Sequence, residues 1–326
     1  MSIPGKLVKN GVYEFAYMRP KDTRTKWQIF RDGIYNNKKK TIFGHTKHEW
    51  MRTALFYLVF FSILAAFFAI CMKGLLATLR EDKPRWILDS SIIGTSPGLG
   101  LRPLTTDISD EMIISYNTKN STDINIWIQR LNLFLSDYHN SSLLLNDGRN
   151  QQICNYDSLP QPSKVCMFDV DNLGPCSYGK GYGFASSKPC VFLKLNKIFG
   201  WIPKYHNDPE KLPSNMPQQL KKHIQNTDST QIKNIWLSCE PLNQMVNNTF
   251  NEIIDYYPKI QGFPGYFYPY ENQPGYLSPL IAVQFTNFRK NTVVEIECRT
   301  WAKNIRDGDD ADSKAYRVRF SLKMIV

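Results

Sequence analysis

One membrane-spanning helix carrying a mainly-β, disulfide-braced outer domain is the architecture this sequence predicts, and three observations predict it. Ala54 to Met72 are nineteen consecutive residues without a charge. Six of the seven cysteines lie beyond that run, between Cys154 and Cys298. The C-terminal third is built from short runs rich in β-branched and aromatic residues that end in strict apolar/polar alternation. At about 1.5 Å of rise per residue, nineteen residues suffice to cross a hydrocarbon core of roughly 30 Å.

Charge orients the span. Residues 1–52 hold 12 Lys or Arg against 4 Asp or Glu, including Lys38, Lys39 and Lys40, and Lys and Arg beside a span are retained on the cytoplasmic side. The outer flank is mixed, with Lys73, Arg80, Lys83 and Arg85 diluted by Glu81 and Asp82. A cleaved signal peptide would have a positive head of a few residues and a shorter apolar stretch. The expected organisation is therefore a cytoplasmic tail at 1–52, a membrane helix with its outer end at 53–79, an extracellular stalk at 80–115 and an extracellular domain at 116–326. Within the stalk, Pro97 and Pro103 make Ile92 to Pro103 an extended connector.

Cysteines and glycosylation triplets agree on sidedness. Cys154, Cys166, Cys176, Cys190, Cys239 and Cys298 in an oxidising compartment read as three disulfides, for which sequence alone allows 15 pairings. No CxxC or paired histidine accompanies them to suggest zinc. Asn120 (NST), Asn140 (NSS) and Asn247 (NNT) are acceptor triplets, all on the same outer side.

The formal charge of +11 is local. The tail supplies 12 minus 4, or +8, leaving 28 basic against 25 acidic residues elsewhere. That placement excludes a nucleic-acid surface and points to topology and to anionic inner-leaflet lipid.

In the outer part, Ser121 or Thr122 is placed to cap a helix whose stripe is Ile124, Trp127, Ile128, Leu131, Phe134 and Leu135, ending near Asn140. Asn234–Glu240, Leu280–Phe288, Val293–Ala302 and Tyr316–Met324 read as strands, the middle two joined by a turn at Arg289 to Asn291, and together suggest an antiparallel sheet. A Cys239–Cys298 bond would tie two strands of that sheet or its two layers, as in sandwich domains.

Chemistry is sparse. Asp169-Val170-Asp171 matches the acidic triplet with which type II Golgi glycosyltransferases hold a metal-bound nucleotide sugar, but no doubly wound pattern hosts it. The acidic run at 307–312 lacks the glutamate and spacing of a calcium loop and reads as a solvated turn. Gly179, Gly181 and Gly183 lack the strand and helix that frame a phosphate loop. His139, His206 and His223 stand apart from any nucleophile. No catalytic residue, metal or cofactor is expected.

Aromatic residues form two clusters. Phe56, Tyr57, Phe60 and Phe61 share one side of the span, and Phe263, Tyr266, Phe267, Tyr268, Tyr270 and Tyr276 crowd the Pro-rich stretch from Gly262 to Leu280. Rings in such numbers suit either a partner contact or a tyrosine-rich core edge.

These segments, with LFYLVFF in the span, PGLGLRP in the connector, CVFLKLNKIFGWIP after Cys190, YFYPY, LSPLIAVQFTN and CRTWAKNI, closely resemble the β subunit of the sodium/potassium-transporting P-type ATPase over most of the chain. The resemblance implies an immunoglobulin-like antiparallel sandwich with an added helix, and the pairs Cys154 with Cys166, Cys176 with Cys190, and Cys239 with Cys298. It implies a non-catalytic plasma-membrane subunit, type II in topology, that escorts the catalytic α subunit from the endoplasmic reticulum and tunes K⁺ occlusion. Tyr57 and Phe61 would pack on the seventh α helix, with phenylalanine at 61 where many relatives carry tyrosine, and Phe60 would be a further contact with α. Tyr266, Phe267, Tyr268 and Tyr270 would meet the loop between the seventh and eighth. Ser62, Ala65, Ala66 and Ala69 are small enough for close helix approach, though the glycines common in relatives are missing. An FXYD-type subunit and cell–cell contacts are further partners the family suggests. The β subunit of the proton/potassium pump and a β-like adhesion or scaffolding glycoprotein are the alternatives.

Overall fold

A computed structural model describes residues 6–7, 13–14, 25–37, 39–81, 83–105, 112–242, 254–287, 290–305 and 316–326. Its internal contacts separate two units, Met1–Leu79 and Arg80–Val326. Asn247, Arg289 and the acidic run at 307–312 lie outside the described residues.

In the first unit, β1 (Lys6–Leu7) pairs with β2 (Tyr13–Glu14), and α1 (Lys26–Ile34) leads into a small antiparallel sheet of β3 (Tyr35–Asn36), β4 (Thr41–Ile42) and β5 (His45–Thr46). α2 (Lys47–Ala77) follows without a break and is 31 residues long. Its start is a capping box: the Thr46 hydroxyl accepts from the Glu49 amide at 3.4 Å and the Glu49 carboxylate accepts from the Thr46 amide at 2.7 Å. None of its side chains is buried by the protein. An apolar helix this long, with no described protein face to cover it, is what a bilayer solvates.

The second unit contains β6 (Leu99–Arg102), β7 (Ile113–Asn117), α3 (Ser121–His139), β8 (Gln151–Gln152), β9 (Val165–Cys166), β10 (Cys190–Leu195), α4 (Gln218–Gln225), β11 (Asn234–Pro241), β12 (Ile254–Tyr257), β13 (Gly262–Pro264), β14 (Leu280–Phe285), β15 (Val293–Trp301) and β16 (Arg317–Ile325). A four-stranded sheet, β12-β14-β10-β6, and a five-stranded sheet, β13-β11-β15-β16-β7, supply the two layers of a sandwich with one shared core. Phe285 and Phe320 meet across the layers, ring centroids 6.2 Å apart. This is the mainly-β, three-disulfide fold expected.

Burial explains the two strand patterns. In β16, Phe320, Leu322 and Met324 point inward and alternate with wetter residues, as one covered face requires. Every residue of β14 is buried, because the far face of its sheet is also covered. There Phe134 of α3 and Tyr182 both pack on Phe192 of β10. Trp127 of α3 stacks on Phe184. α3 buries Ile124, Trp127, Leu131 and Leu135, with Ile128 and Phe134 half-buried.

Several expectations change. The cap of α3 is Asn120, whose Oδ1 accepts from the Thr122 amide at 3.0 Å, so Ser121 and Thr122 are its first helical residues. The end of the connector is a core strand: β6 pairs with β10 and buries Leu99 and Leu101, since PGLGLRP places two leucines on one face. The sandwich is antiparallel except where β7 runs parallel to β16. α4 is an additional helix, too short and too polar for its period to show, whose Leu220 and Ile224 cover Trp236 and Trp301 on the outside of the five-stranded sheet.

Disulfides join Cys154 to Cys166, Cys176 to Cys190 and Cys239 to Cys298. Cys239 stands directly opposite Cys298 on β11 and β15, so that bond links neighbouring strands of one sheet rather than two layers.

Candidate partner interface

On α2 the aromatic residues form two stacked columns. Phe56 lies over Phe60 with centroids 6.1 Å apart and Tyr57 over Phe61 at 6.0 Å, because residues four apart sit one turn above each other. The columns meet edge-on, Phe56 against Tyr57 and Phe60 against Phe61, each pair at 5.4 Å. All four rings are exposed, Tyr57 at 51% and Phe61 at 58%. At about 100° per residue, Ser62, Ala65, Ala66 and Ala69 fall on the opposite side of the helix. The Ser62 hydroxyl is engaged within the helix, donating to the Leu58 carbonyl at 2.7 Å.

The tyrosine-rich segment, in the second unit, splits into inward and outward residues. Phe263 is fully buried on β13, and the 3₁₀ turn Gly265–Phe267 sends Phe267 into the core at 5% exposure. Gly265 is required there: a methyl group would overlap the Tyr205 hydroxyl and crowd the Lys233 carbonyl. Tyr268 rests edge-on against Trp201, centroids 5.6 Å apart, with its hydroxyl enclosed, and burial pushes that phenol well above its usual pKa. These placements correct the expectation for Phe267, which is buried, while Tyr268 keeps a partly exposed surface despite its enclosed hydroxyl. Tyr266 and Tyr270 are half-exposed. Tyr266 packs on Tyr156, whose hydroxyl donates to Asn234 Oδ1 at 2.8 Å. Tyr270 packs on Tyr276 at 4.9 Å, and its hydroxyl donates to Asn272 Oδ1.

Lys197, which the aromatic pattern alone does not single out, organises this end. Its Nζ sits 5.3 Å from the centroids of both Tyr270 and Tyr276 and donates to the Tyr276 carbonyl. Burial lowers its pKa, partly offset by Asp137. The Gly200 amide donates to the Tyr270 carbonyl at 2.8 Å, so the KIFGW stretch and YFYPY hold each other. A cleft of about 620 Å³ opens between Tyr266–Tyr276 and the loop closed by Cys154–Cys166.

The remaining candidates have structural uses. Asp169 caps the turn it precedes, accepting from the Asp171 amide at 2.9 Å and from Asn172 Nδ2 at 3.0 Å. Asn120 and Asn140 are exposed at the two ends of α3, and each Oδ1 accepts from the amide two residues on.

A family model described as the sodium/potassium ATPase β chain matches residues 20–320. The chain belongs to that family. It is 40% identical over 309 residues to the sodium/potassium-transporting ATPase subunit beta-1 of Drosophila melanogaster, covering 95% of this chain and 96% of that one. Subunit beta-2 of the same species is also 40% identical, over 297 residues, with 90% and 91% covered. Subunit beta-2 of Rattus norvegicus is 29% identical over 307 residues, with 91% and 93% covered. As a β-chain family member, the protein combines one long apolar helix with a disulfide-braced β unit. No described group of three or more His, Cys, Asp or Glu side chains is arranged to hold a metal.

Proposed function

We propose that this β-family chain is the non-catalytic partner of a sodium/potassium-transporting α chain, which carries the ATP hydrolysis and ion movement. In this reading the N-terminus is cytoplasmic and the β unit extracellular at the plasma membrane. The chain supports folding and delivery of α and modulates K⁺ occlusion. The observation that carries it is the mutually stacked, exposed aromatic face of α2. Four rings on one side of a bilayer helix gain little from lipid that aliphatic side chains would not gain, whereas against another helix they supply packing contacts. Tyr57 and Phe61 are the central contacts. In the outer unit Tyr266 and Tyr270 touch α, with Phe267 and Tyr268 setting their position.

Tyr57→Ala with Phe61→Ala is expected to lower the α chain recovered with this protein in mild detergent about tenfold or more, two aromatic anchors being lost from one contact. Apparent K⁺ affinity of the remaining pumps shifts with it. Unchanged recovery and unchanged K⁺ affinity would assign the contact to another face.

Asn120 and Asn140 are proposed as glycan sites, and Asn120 separates its two roles cleanly. Thr122→Ala destroys the triplet but keeps the cap, so one glycan disappears on a deglycosylation gel while stability stays within about 0.5 kcal/mol. Asn120→Ala removes both and costs about 1 kcal/mol more. Identical mobility of the Thr122→Ala and parent chains would mean that Asn120 carries no sugar.

A further inference from the structure

Among the described residues, nothing covers α1. Every described side chain from Lys26 to Ile34 is exposed, including Trp27 at 74%, Phe30 at 58% and Ile34 at 38%. Nine residues are too few for a helix to be more than marginal in water, so its persistence needs an apolar face to be covered. Its start is well made: the Thr25 hydroxyl accepts from the Gln28 amide and the Gln28 side chain accepts from the Thr25 amide at 3.1 Å.

The side chains are sorted. At about 100° per residue, Trp27, Phe30 and Ile34 fall within roughly 60° of arc, with Lys26 and Arg31 one on each side of that stripe and Gln28 and Ile29 well away from it. Trp27 and Phe30 touch, centroids 5.5 Å apart. An aromatic stripe bordered by cations whose alkyl stems can lie along it is the pattern of a helix lying in a membrane surface.

Hydrogen bonds within the same unit tether α1 to the start of the span. The Phe43 amide donates to the Ile34 carbonyl at 2.9 Å, joining the end of α1 to the β4–β5 turn. Trp50 Nε1 donates to the Ile42 carbonyl at 2.9 Å, joining β4 to the first turn of α2, four residues before the apolar run begins. The turns also carry Lys39 and Lys40, both exposed. We infer that α1 lies in the plane of the cytoplasmic leaflet, its Trp27–Phe30–Ile34 stripe among acyl chains and Lys26 and Arg31 at anionic headgroups. The covering surface is the bilayer that α2 itself enters, and it has the opposite charge to the tail. This rests on the cytoplasmic orientation proposed above and goes beyond it by giving the tail a fixed depth.

The full chain with Cys71→Ser, which removes the one free thiol, tests this with a nitroxide at Ile34→Cys or at Ile29→Cys. Nanodiscs of phosphatidylcholine, alone or with phosphatidylserine, provide the lipid. With phosphatidylserine present, the Ile34 label is expected to be open to oxygen and shielded from a water-soluble nickel chelate, and the Ile29 label the reverse. Adding Lys26→Gln and Arg31→Gln should lower the ratio of membrane-bound to free α1 about thirtyfold, near fivefold for each cation. Equal exposure of both labels to nickel overturns the inference, as does shielding of Ile34 that ignores lipid charge and appears only when a partner chain is bound. An impermeant maleimide on intact cells reports orientation separately: labelling of Ile29→Cys from outside overturns the cytoplasmic reading itself, whatever the discs show.

Discussion

Removing the Cys239–Cys298 bond is expected to cost the 80–326 unit about 4 kcal/mol, more than either other disulfide. Its two ends are 59 residues apart in sequence, against 12 and 14 for the other pairs, and the entropy withheld from the unfolded chain grows with the loop closed. The shorter loops are worth about 3 kcal/mol each on the same reasoning. Register adds to the effect, since the bond fixes Cys239 opposite Cys298, and with them Trp236 opposite Trp301 and Leu237 opposite Thr300. A one-residue slip would exchange the two faces of β11, carrying Trp236 from under α4 into the sandwich core and Leu237 out of it. The measurement is the urea midpoint of the Cys239→Ala, Cys298→Ala double variant beside the matching variants of the other pairs. Equal midpoints for all three would remove loop length as the cause.

Gly183→Ala is the second large effect, at about 3–5 kcal/mol. Gly183 has φ of +74°, where an L side chain pays about 1–2 kcal/mol. An added methyl would also overlap the Lys188 carbonyl oxygen, and backbone cannot swing aside as a side chain does. The Lys188 amide donates to the Gly183 carbonyl at 2.9 Å, so the same close approach closes the turn before Cys190. Displacing that turn disturbs Phe184, which is fully buried against Tyr116 and Trp127. The expected result is poor recovery of folded protein with a lowered melting temperature, while Gly179→Ala, which meets nothing within 4 Å, stays near the parent. A Gly183→Ala chain as stable as the parent would mean that the turn opens at little cost.

Elements that bury a continuous stripe were legible in the residues. α3 and the strands at 293–301 and 317–325 repeat apolar side chains at the period of their own geometry, while the span shows by its unbroken apolar length and the strands at 234–241 and 280–285 by their aromatic and β-branched richness. What escaped was written at longer range. β6 shows as a connector because its two leucines acquire meaning only beside β10. α4 has two apolar anchors in eight residues, and its partners Trp236 and Trp301 are distant in sequence. The direction of β7 depends on where β16 lies, which no local pattern records.

The candidate interface divides in the same way. Columns Phe56–Phe60 and Tyr57–Phe61 follow from helical spacing alone. The fate of Gly262 to Leu280 does not, because alternation breaks at Pro264 and Pro269 and the Gly265–Phe267 turn decides which rings face inward. Lys197 gains its place between Tyr270 and Tyr276 only when the KIFGW stretch comes to lie alongside YFYPY.

Isolation of the native protein in mild detergent, with identification of whatever accompanies it in fixed ratio, addresses the central proposal most directly. One P-type ATPase α chain for each copy of this protein is the predicted result. Recovery of the chain alone, or in constant ratio with an unrelated protein, would contradict it.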